Sequence, residues 1–329
     1  MTISIIIVTY NRPLDVVAML GSLLRQTLLP TEIIVVDNCP NTLNSPPLLE
    51  MISKSKAAGV DVRQYKSQIN SLPCARNIGV SSAHGDILFF LDDDVVLAKD
   101  YVREVVAVYE GNKSAMGVQG LIEEEPPGEL REFLHKIFFW YHHEYGKGRV
   151  LASCSATYPY PSEKVVETEW LSGANHSYRK EVFRSEKYDE NLMKYADGED
   201  LDMSYRVYMR YPGSLYFAPK ARLIHKTSAA GRTIGTELIF MREVYGLYLF
   251  FKLFRPTFAN CSIYIWSRFG RLLFSLVNLI RQPSSRMLRE SWDLLRAYRY
   301  CFVYIDLISA GDLRLFNSSL SGRKGNYDS

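Results

Sequence analysis

Two spacings of apolar residues alternate along the first 120 positions. Ile3–Tyr10 is a continuous β-branched run, the pattern of a strand buried on both faces. Asn11-Arg12-Pro13 interrupts it. Pro13 suits the first turn of a helix reaching about Gln26, with Leu14, Val17, Leu20, Leu23 and Leu24 at helical spacing. Ile33–Val36 repeats the strand pattern and ends at Asp37-Asn38. The same criteria predict a helix over Pro46–Ala58, a strand over Val60–Tyr65, a helix over Pro73–Ala83 and a strand over Ile87–Leu91. A helix over Lys99–Glu110 and a strand over Met116–Leu121 follow. Strand and helix in alternation, with continuously apolar strands, predict an α/β fold: a mostly parallel sheet flanked by helices on both faces.

Ligands of such sheets bind outside the carboxyl ends of the strands. The polar residues at those ends here are Thr9-Tyr10-Asn11, Asp37-Asn38 and Asp92-Asp93-Asp94. Asp92 and Asp94 are two apart, so in extended backbone both side chains point the same way. There they can bind a hard divalent ion, although Asp is also common in plain turns. No GxGxxG and no Walker lysine loop follows the first strand, which disfavours dinucleotide and P-loop chemistry.

Further along, Leu130–Tyr145 is rich in aromatics and contains His142-His143; adjacent histidines on a helix diverge by about 100°, so the pair is read as non-ligating. Trp170–Asn175 joins a strand to a loop of small residues (Gly173, Ala174) that admits either close substrate approach or an ordinary tight turn. A helix is predicted to begin after Gly198, with Glu199 and Asp200 at a junction where a carboxylate can accept a proton from a bound hydroxyl. Asp202 and Arg206 read as a surface i,i+4 pair on it. Arg222–His225 reads as a short strand ending in a histidine that can complete a carboxylate metal site.

Composition changes this picture little. The 329 residues carry a net charge of +3, too small to imply nucleic-acid binding, and the five cysteines are scattered with no CxxC pair, as in a reducing compartment. Met1 leads almost directly into a strand, so no secretory signal is expected. From Thr236 onward, arginines interleave with Phe, Tyr, Trp and Leu, the pattern of amphipathic helices that lie on an anionic membrane surface or pack on a partner. The apolar runs Val244–Phe251, Pro256–Ser267 and Leu272–Ile280 are each too short to span a bilayer. Residues 322–329 read as a disordered tail.

Six ordered stretches together resemble the family 2 glycosyltransferases of the GT-A fold, a Rossmann-like nucleotide-diphosphosugar transferase architecture. They are Ser-Ile-Ile-Ile-Val-Thr-Tyr-Asn-Arg, Ile-Ile-Val-Val-Asp-Asn, Ala-Arg-Asn-Ile-Gly, Phe-Leu-Asp-Asp-Asp, Leu-Ser-Gly-Ala-Asn and Gly-Glu-Asp-Leu-Asp, spread over roughly residues 3–232. The resemblance implies a GT-A domain over 1–235, its nucleotide-binding half near 1–120 and its acceptor-binding half near 121–235. A helical region over 236–321 would follow.

It also implies roles. Thr9, Tyr10, Asn11, Arg12 and Asp37 would hold the nucleotide, with Arg76 near the base. Asp92 and Asp94 would bind Mn²⁺ or Mg²⁺ together with His225, and Asp93 would touch ribose or sugar. Gly173, Ala174 and Asn175 would line the sugar and acceptor. Asp200 would be the catalytic base, with Glu199 its acidic neighbour. The implied reaction is inverting transfer from a nucleotide sugar, by default a UDP-sugar, to a glycan, lipid-linked or protein-linked hydroxyl. The expected setting is surface polysaccharide or glycan synthesis, in the cytoplasm or at the inner face of the cell membrane, with peripheral contact through residues 236–305. The second strand ends Asp-Asn-Cys-Pro-Asn-Thr, a departure from the commoner Asp-Asp-Gly-Ser. A sugar nucleotidyltransferase is the alternative enzyme, but it wants a glycine-rich basic loop where this chain has Tyr-Asn-Arg-Pro. A non-catalytic nucleotide-sugar-binding subunit of a membrane assembly is the other alternative, and it would not need Asp92, Asp94 and Asp200.

Overall fold

The computed structural model describes residues 1–38, 44–124, 127–195, 197–228 and 233–320. In chain order the first half runs β1 (Ile3–Thr9), α1 (Pro13–Leu23), β2 (Glu32–Asp37), α2 (Pro46–Ala57), β3 (Asp61–Lys66), α3 (Leu72–Ser82), β4 (Ile87–Asp92), β5 (Val95–Leu97), α4 (Tyr101–Gly111) and β6 (Gly117–Ile122). The middle holds α5 (Glu129–Ile137), the short strands β7 (His142–His143), β8 (Val150–Leu151), β9 (Ser155–Tyr158) and β10 (Val166–Glu167), then β11 (Asn175–Arg179), α6 (Glu199–Arg210) and β12 (Leu215–His225). Helices α7 (Thr236–Leu253), α8 (Phe258–Arg281), α9 (Ser285–Val303), α10 (Ile305–Ser309) and α11 (Arg314–Leu320) close the chain.

The main sheet is ordered β10-β12-β6-β11-β4-β1-β2-β3. β1, β2, β3 and β4 are mutually parallel, and β6 is parallel to β12. Their apolar residues are buried on both faces, one set against α1, α2 and α4, the other against α3 and α6. The expected mostly parallel sheet flanked by helices is the architecture found.

Two features of the sheet differ from the sequence reading. Asn175–Arg179 is a strand, β11, inserted antiparallel between β4 and β6; its mixed composition, Asn-His-Ser-Tyr-Arg, hides it from a search for apolar runs. β12 is eleven residues long rather than four, with a bulge between Ala218 and Arg222. Gly120 on β6 accommodates that bulge, because a Cβ there would lie 2.3 Å from the Ala221 carbonyl oxygen.

Register sets the site. Thr9 pairs with Asp37, and Val8 with Asp92. Because β11 runs antiparallel from the end of β4, the loop before it returns to the same edge, and Asp92 N–H donates to Ala174 O at 3.1 Å. β12 pairs antiparallel with β5 so that His225 faces Val95, the residue after Asp94.

The terminal helices are unlike one another. α7 is a core helix: Phe240, Met241, Val244, Tyr245, Leu249 and Phe250 are buried against α9, α10 and α11. It is therefore not an amphipathic surface helix. The runs Pro256–Ser267 and Leu272–Ile280 fuse into one helix, α8, of 24 residues, long and apolar enough to cross a membrane by length and composition, with 22% of its apolar window buried. It is anchored on the preceding region by Trp266 Nε1 donating to Ile137 O and Trp140 Nε1 donating to Ser267 O. The predicted tail at 322–329 lies outside the described residues.

Two further expectations are corrected. His142-His143 lies on a strand after α5 has ended, so the two rings sit on opposite faces; His142 Nδ1 lies 2.8 Å from Trp140 O. Asp202 is no surface residue: it is fully buried, bonded at 2.9 Å to Arg206 and ion-paired with Lys252 of α7 at 2.8 Å. Periodicity placed the pair on one helix but could not show that α7 covers it.

Candidate functional site

The site is built at the carboxyl ends of β1 and β4. Asn11 turns the chain with φ 55°, a left-handed conformation that Asn tolerates, and Pro13 then starts α1. This turn brings Arg12 across to the acidic triplet. Arg12 Nη1 donates to Asp93 at 2.9 Å and reaches Asp94 at 3.5 Å, while Nη2 donates to Ser228 O at 3.2 Å. Thr9 Oγ1 donates to the other Asp93 oxygen at 2.7 Å. Asp93 is thus a buried tie between the first and fourth strand ends. Burial pushes it up to about 7, against the pull of the Thr9 hydroxyl and Arg12.

Asp92 and Asp94 also face His225. Asp92, Asp94 and His225 each offer a ligand atom within 4.8 Å of the others. His225 Nε2 lies 3.0 Å from Asp94 and 3.9 Å from Asp92. Burial raises the pKa of Asp92, and the nearby Asp94 charge adds to this, opposed by Arg76. For Asp94 burial is outweighed by His225, the Ser228 N–H and Arg12, and its pKa is lowered. Two carboxylates and an imidazole at such spacing fit a divalent cation of the Mn²⁺ or Mg²⁺ type.

Arg76 links this triad to the start of α6. It is buried in α3, donates to Glu199 at 2.6 Å and to Gly173 O at 2.9 Å, and lies 3.8 Å from Asp92. The Tyr188 ring lies under its guanidinium, 5.3 Å from the centroid. One arginine thus faces several carboxylates. Burial, then the Asp200 charge, push Glu199 up to about 8, against Arg76. Asp200 is raised by burial, against Arg76 and two backbone donors, Gly173 N–H at 2.7 Å and Leu201 N–H at 2.8 Å. Gly173 is small for a reason: a Cβ there would sit 3.0 Å from Asp200 Oδ2.

The remaining expected residues divide. Tyr10 is exposed and, with Thr9, Arg12, Asn38 and Asn70, lines a narrow cleft of about 50 Å³. Asp37 is buried, next to Thr9 in the sheet. That cleft shares Asp92, Tyr195 and Thr233 with a cavity of about 500 Å³, whose walls include Arg76, Gly173, Ala174, Glu199, Asp200 and His225. Asn175 departs from the reading of it as a wall residue: being the first residue of β11 it is fully buried, with Nδ2 donating to Gly120 O at 3.0 Å.

Several site-shaping residues carried no local signal. Tyr188 and His176 bond each other at 2.6 Å, and His176 Nδ1 lies 2.8 Å from Ser172 O, which steadies the Gly173 loop. Burial lowers the His176 pKa well below its ordinary value, so the ring is neutral. Tyr141, Trp170 and Arg242 also reach the cavity. Arg242 and Tyr141 come to this wall from segments far from Gly173 and Asp200 in sequence, beyond any motif.

With this geometry in hand, the comparisons with known proteins are specific. The model of the glycosyl transferase family 2 matches residues 4–172, just over half of the chain. An uncharacterized glycosyltransferase of Bacillus subtilis, YwdF, is 28% identical over 153 residues, which cover 46% of this chain and 55% of that protein. One from Haemophilus influenzae is 32% identical over 111 residues, covering 33% and 35% respectively. The chain thus spans little more than half, or less, of the length of these relatives. Among solved structures, S. aureus TarS 1–349 in complex with UDP-GlcNAc has a TM-score of 0.55 at 14% identity, covering 97% of this chain and 91% of that one. GalNAc-T7 with UDP, GalNAc and Mn²⁺ has a TM-score of 0.55 at 20% identity, covering 76% and 49%. At those identities the likeness is one of fold, and the fold is GT-A. Sequence match and architecture agree, and the chain belongs to glycosyl transferase family 2.

Proposed function

We propose that the chain transfers a sugar from a nucleotide-diphosphate sugar to an acceptor hydroxyl with inversion at the anomeric carbon. The observation that carries this reading is the single cavity holding both Asp200 and the Asp92–His225 pair, with Arg76 between them. The nucleotide would lie in the Thr9–Tyr10–Asn38 cleft, close to Asp37. The sugar would pass Asp92 into the larger cavity beside Gly173 and Ala174. Asp92, Asp94 and His225 would hold a divalent cation, which when bound neutralises charge on the departing diphosphate. Asp93 anchors Arg12 from below in this reading, rather than touching the sugar. Asp200, aimed by two backbone N–H groups, takes the proton of the attacking hydroxyl. Glu199 keeps Arg76 in place beside it. The UDP and UDP-GlcNAc complexes of TarS, a neighbour in fold, support a UDP donor.

The test separates binding from chemistry. Asp200→Asn is expected to abolish transfer while leaving Mn²⁺-dependent UDP binding intact; full turnover in that variant would remove Asp200 from the role of base.

We also propose peripheral attachment to an anionic membrane, with the enzyme on the cytoplasmic side. The contact surface is narrower than 236–305, since α7 is buried. Phe258, Ile265, Trp266, Phe269 and Ile280 of α8, and Trp292 of α9, are exposed. Arg281, Arg289 and Arg299 beside them form no ion pair among the described residues. Apolar residues with surplus cations match a lipid interface. Full-length chain should pellet with phosphatidylserine vesicles, and Phe269→Glu/Ile280→Glu should not; equal pelleting of both defeats the idea. Surface polysaccharide or glycan synthesis is the setting that such attachment favours.

A further inference from the structure

The site cavity does not end at Asp200. It shares Tyr141, Cys154, Ser155, Asp197, Gly198 and Arg242 with a second cavity of about 560 Å³ between α5, α7, α8 and α9. The two form one trench leading away from the proposed base. In its wall Trp140, half-buried and stacked on one side by Phe138 at 5.1 Å, stands 6.1 Å from the exposed Phe274 ring, edge to face, and 5.5 Å from the His135 ring. Aromatic surfaces of this kind suit the apolar faces of sugar rings.

The charges along this trench do not cancel. Arg242 pairs with Asp197 at 2.7 Å, and Glu290 with Arg286 at 2.8 Å. Arg268 and Arg271 share one buried carboxylate, Glu243, each at 3.1 Å. One positive charge is left over. The Arg271 side chain is 34% exposed and forms part of the cavity wall. Burial, then the neighbouring Arg268 charge, hold Arg271 below its ordinary pKa, the direction expected of an under-compensated cation. Arg268 Nε, buried in the same wall, has no hydrogen-bond partner among the described residues.

We infer that this trench is the acceptor subsite and that it takes a saccharide carrying an anionic group, carboxylate or phosphate, seated at Arg271 and Arg268. The sugar bearing the reactive hydroxyl lies toward Asp200, and the rings preceding it rest on Trp140 and Phe274. The inference rests on the glycosyltransferase reading for the direction of the chain, but the anion site itself stands on Arg268, Arg271 and Glu243.

Binding tests it without turnover. The full chain, saturated with UDP and Mn²⁺, is titrated by calorimetry with cellobiose, cellobiouronic acid and cellobiose 6′-phosphate. Both anionic probes are expected to bind about tenfold more tightly than cellobiose, the scale of one hydrogen bond to a charged group. Arg271→Gln should erase that preference, Arg271→Lys should keep most of it, and UDP affinity should not move in either. A preference for phosphate over carboxylate identifies a phosphodiester-linked acceptor, and the reverse a uronate. Equal affinity for neutral and anionic probes, no binding of either anionic probe, or a preference that survives Arg271→Gln overturns the inference. Loss of the glycosyltransferase reading shows up separately, as absent Mn²⁺-dependent UDP binding in the wild-type chain.

Discussion

Two buried charge clusters of opposite sign face the same trench. At the ends of β1 and β4, Asp92, Asp93, Asp94, Glu199 and Asp200 surround two arginines, Arg12 and Arg76. Between α7 and α8, two arginines share Glu243. Burying like charges together costs several kcal/mol per ion unless a counter-charge is supplied. In the readings proposed above, the first cluster would take a cation and the second an anion. Their wiring also differs. The acidic cluster is held by backbone donors from Gly173, Leu201 and Ser228, so its geometry survives a change of one side chain. The basic cluster is held by one carboxylate and by Ser153 O on Arg268, and it depends on that carboxylate.

That contrast sets the predictions. Asp94→Asn, which removes a candidate ligand but keeps shape and the Ser228 contact, is expected to weaken Mn²⁺ binding by at least ~100-fold, the upper cost of losing even an outer partner of a metal site. Titration followed by electron paramagnetic resonance measures it, and an unchanged Mn²⁺ affinity would remove Asp94 from the ligand set. The melting temperature should change little, because the backbone donors remain.

Glu243→Ala should behave in the opposite way. It leaves two arginines without their carboxylate and is expected to cost ~3–5 kcal/mol of stability, as when one member of a buried ion pair is removed. Urea unfolding reads it directly, and a loss below 1 kcal/mol would show that water already screens the pair. Mn²⁺ affinity should be untouched.

Asp202→Asn tests a buried carboxylate outside either cluster. It strips charge from the contacts to Arg206 and Lys252 and is expected to cost ~1–3 kcal/mol, again by urea unfolding. A neutral result would mean that Asp189, which precedes α6 and is bonded to Lys252 at 2.5 Å, balances the Lys252 charge without Asp202.

The smallest effect is on pH. The Asp200 pKa is raised, so the group is protonated at pH values where an ordinary aspartate is ionised. In the proposed mechanism transfer requires ionised Asp200 and should therefore fall as pH falls, with its acid limb displaced upward from the ordinary 3.8. Initial rates from about pH 3 to 8 at saturating donor check this; a limb at or below 3.8 would contradict the burial argument.

Much of the parallel half of the sheet was legible in the sequence. Strands buried on both faces are mostly apolar, so the polar residues at their carboxyl ends stand out, as Thr9, Asp37 and Asp92 do. Glu199 and Asp200 stood out because they follow a glycine at a helix start. The antiparallel insertion β11 did not, since Asn175, His176 and Ser177 are polar and are accommodated by specific partners, Gly120 O, Tyr188 and Val118 O. Nor did the fate of Asn175 as a tie within the sheet.

By itself the sequence determined periodicity: which segments are strands or helices, which face is apolar, and where carboxylates cluster along the chain. It could not assign partners. Asp93 became an anchor for Thr9 and Arg12, and Asp202 an interior residue, only through contacts 50 to 84 positions distant. The arginine-rich tail shows the same division. Its pattern promised amphipathic helices throughout, but packing buried α7, left α8 and α9 exposed, and turned Arg268 and Arg271 inward onto Glu243. Periodicity is a local property written in spacing; burial and pairing depend on which distant segment arrives, and only the tertiary structure decides that.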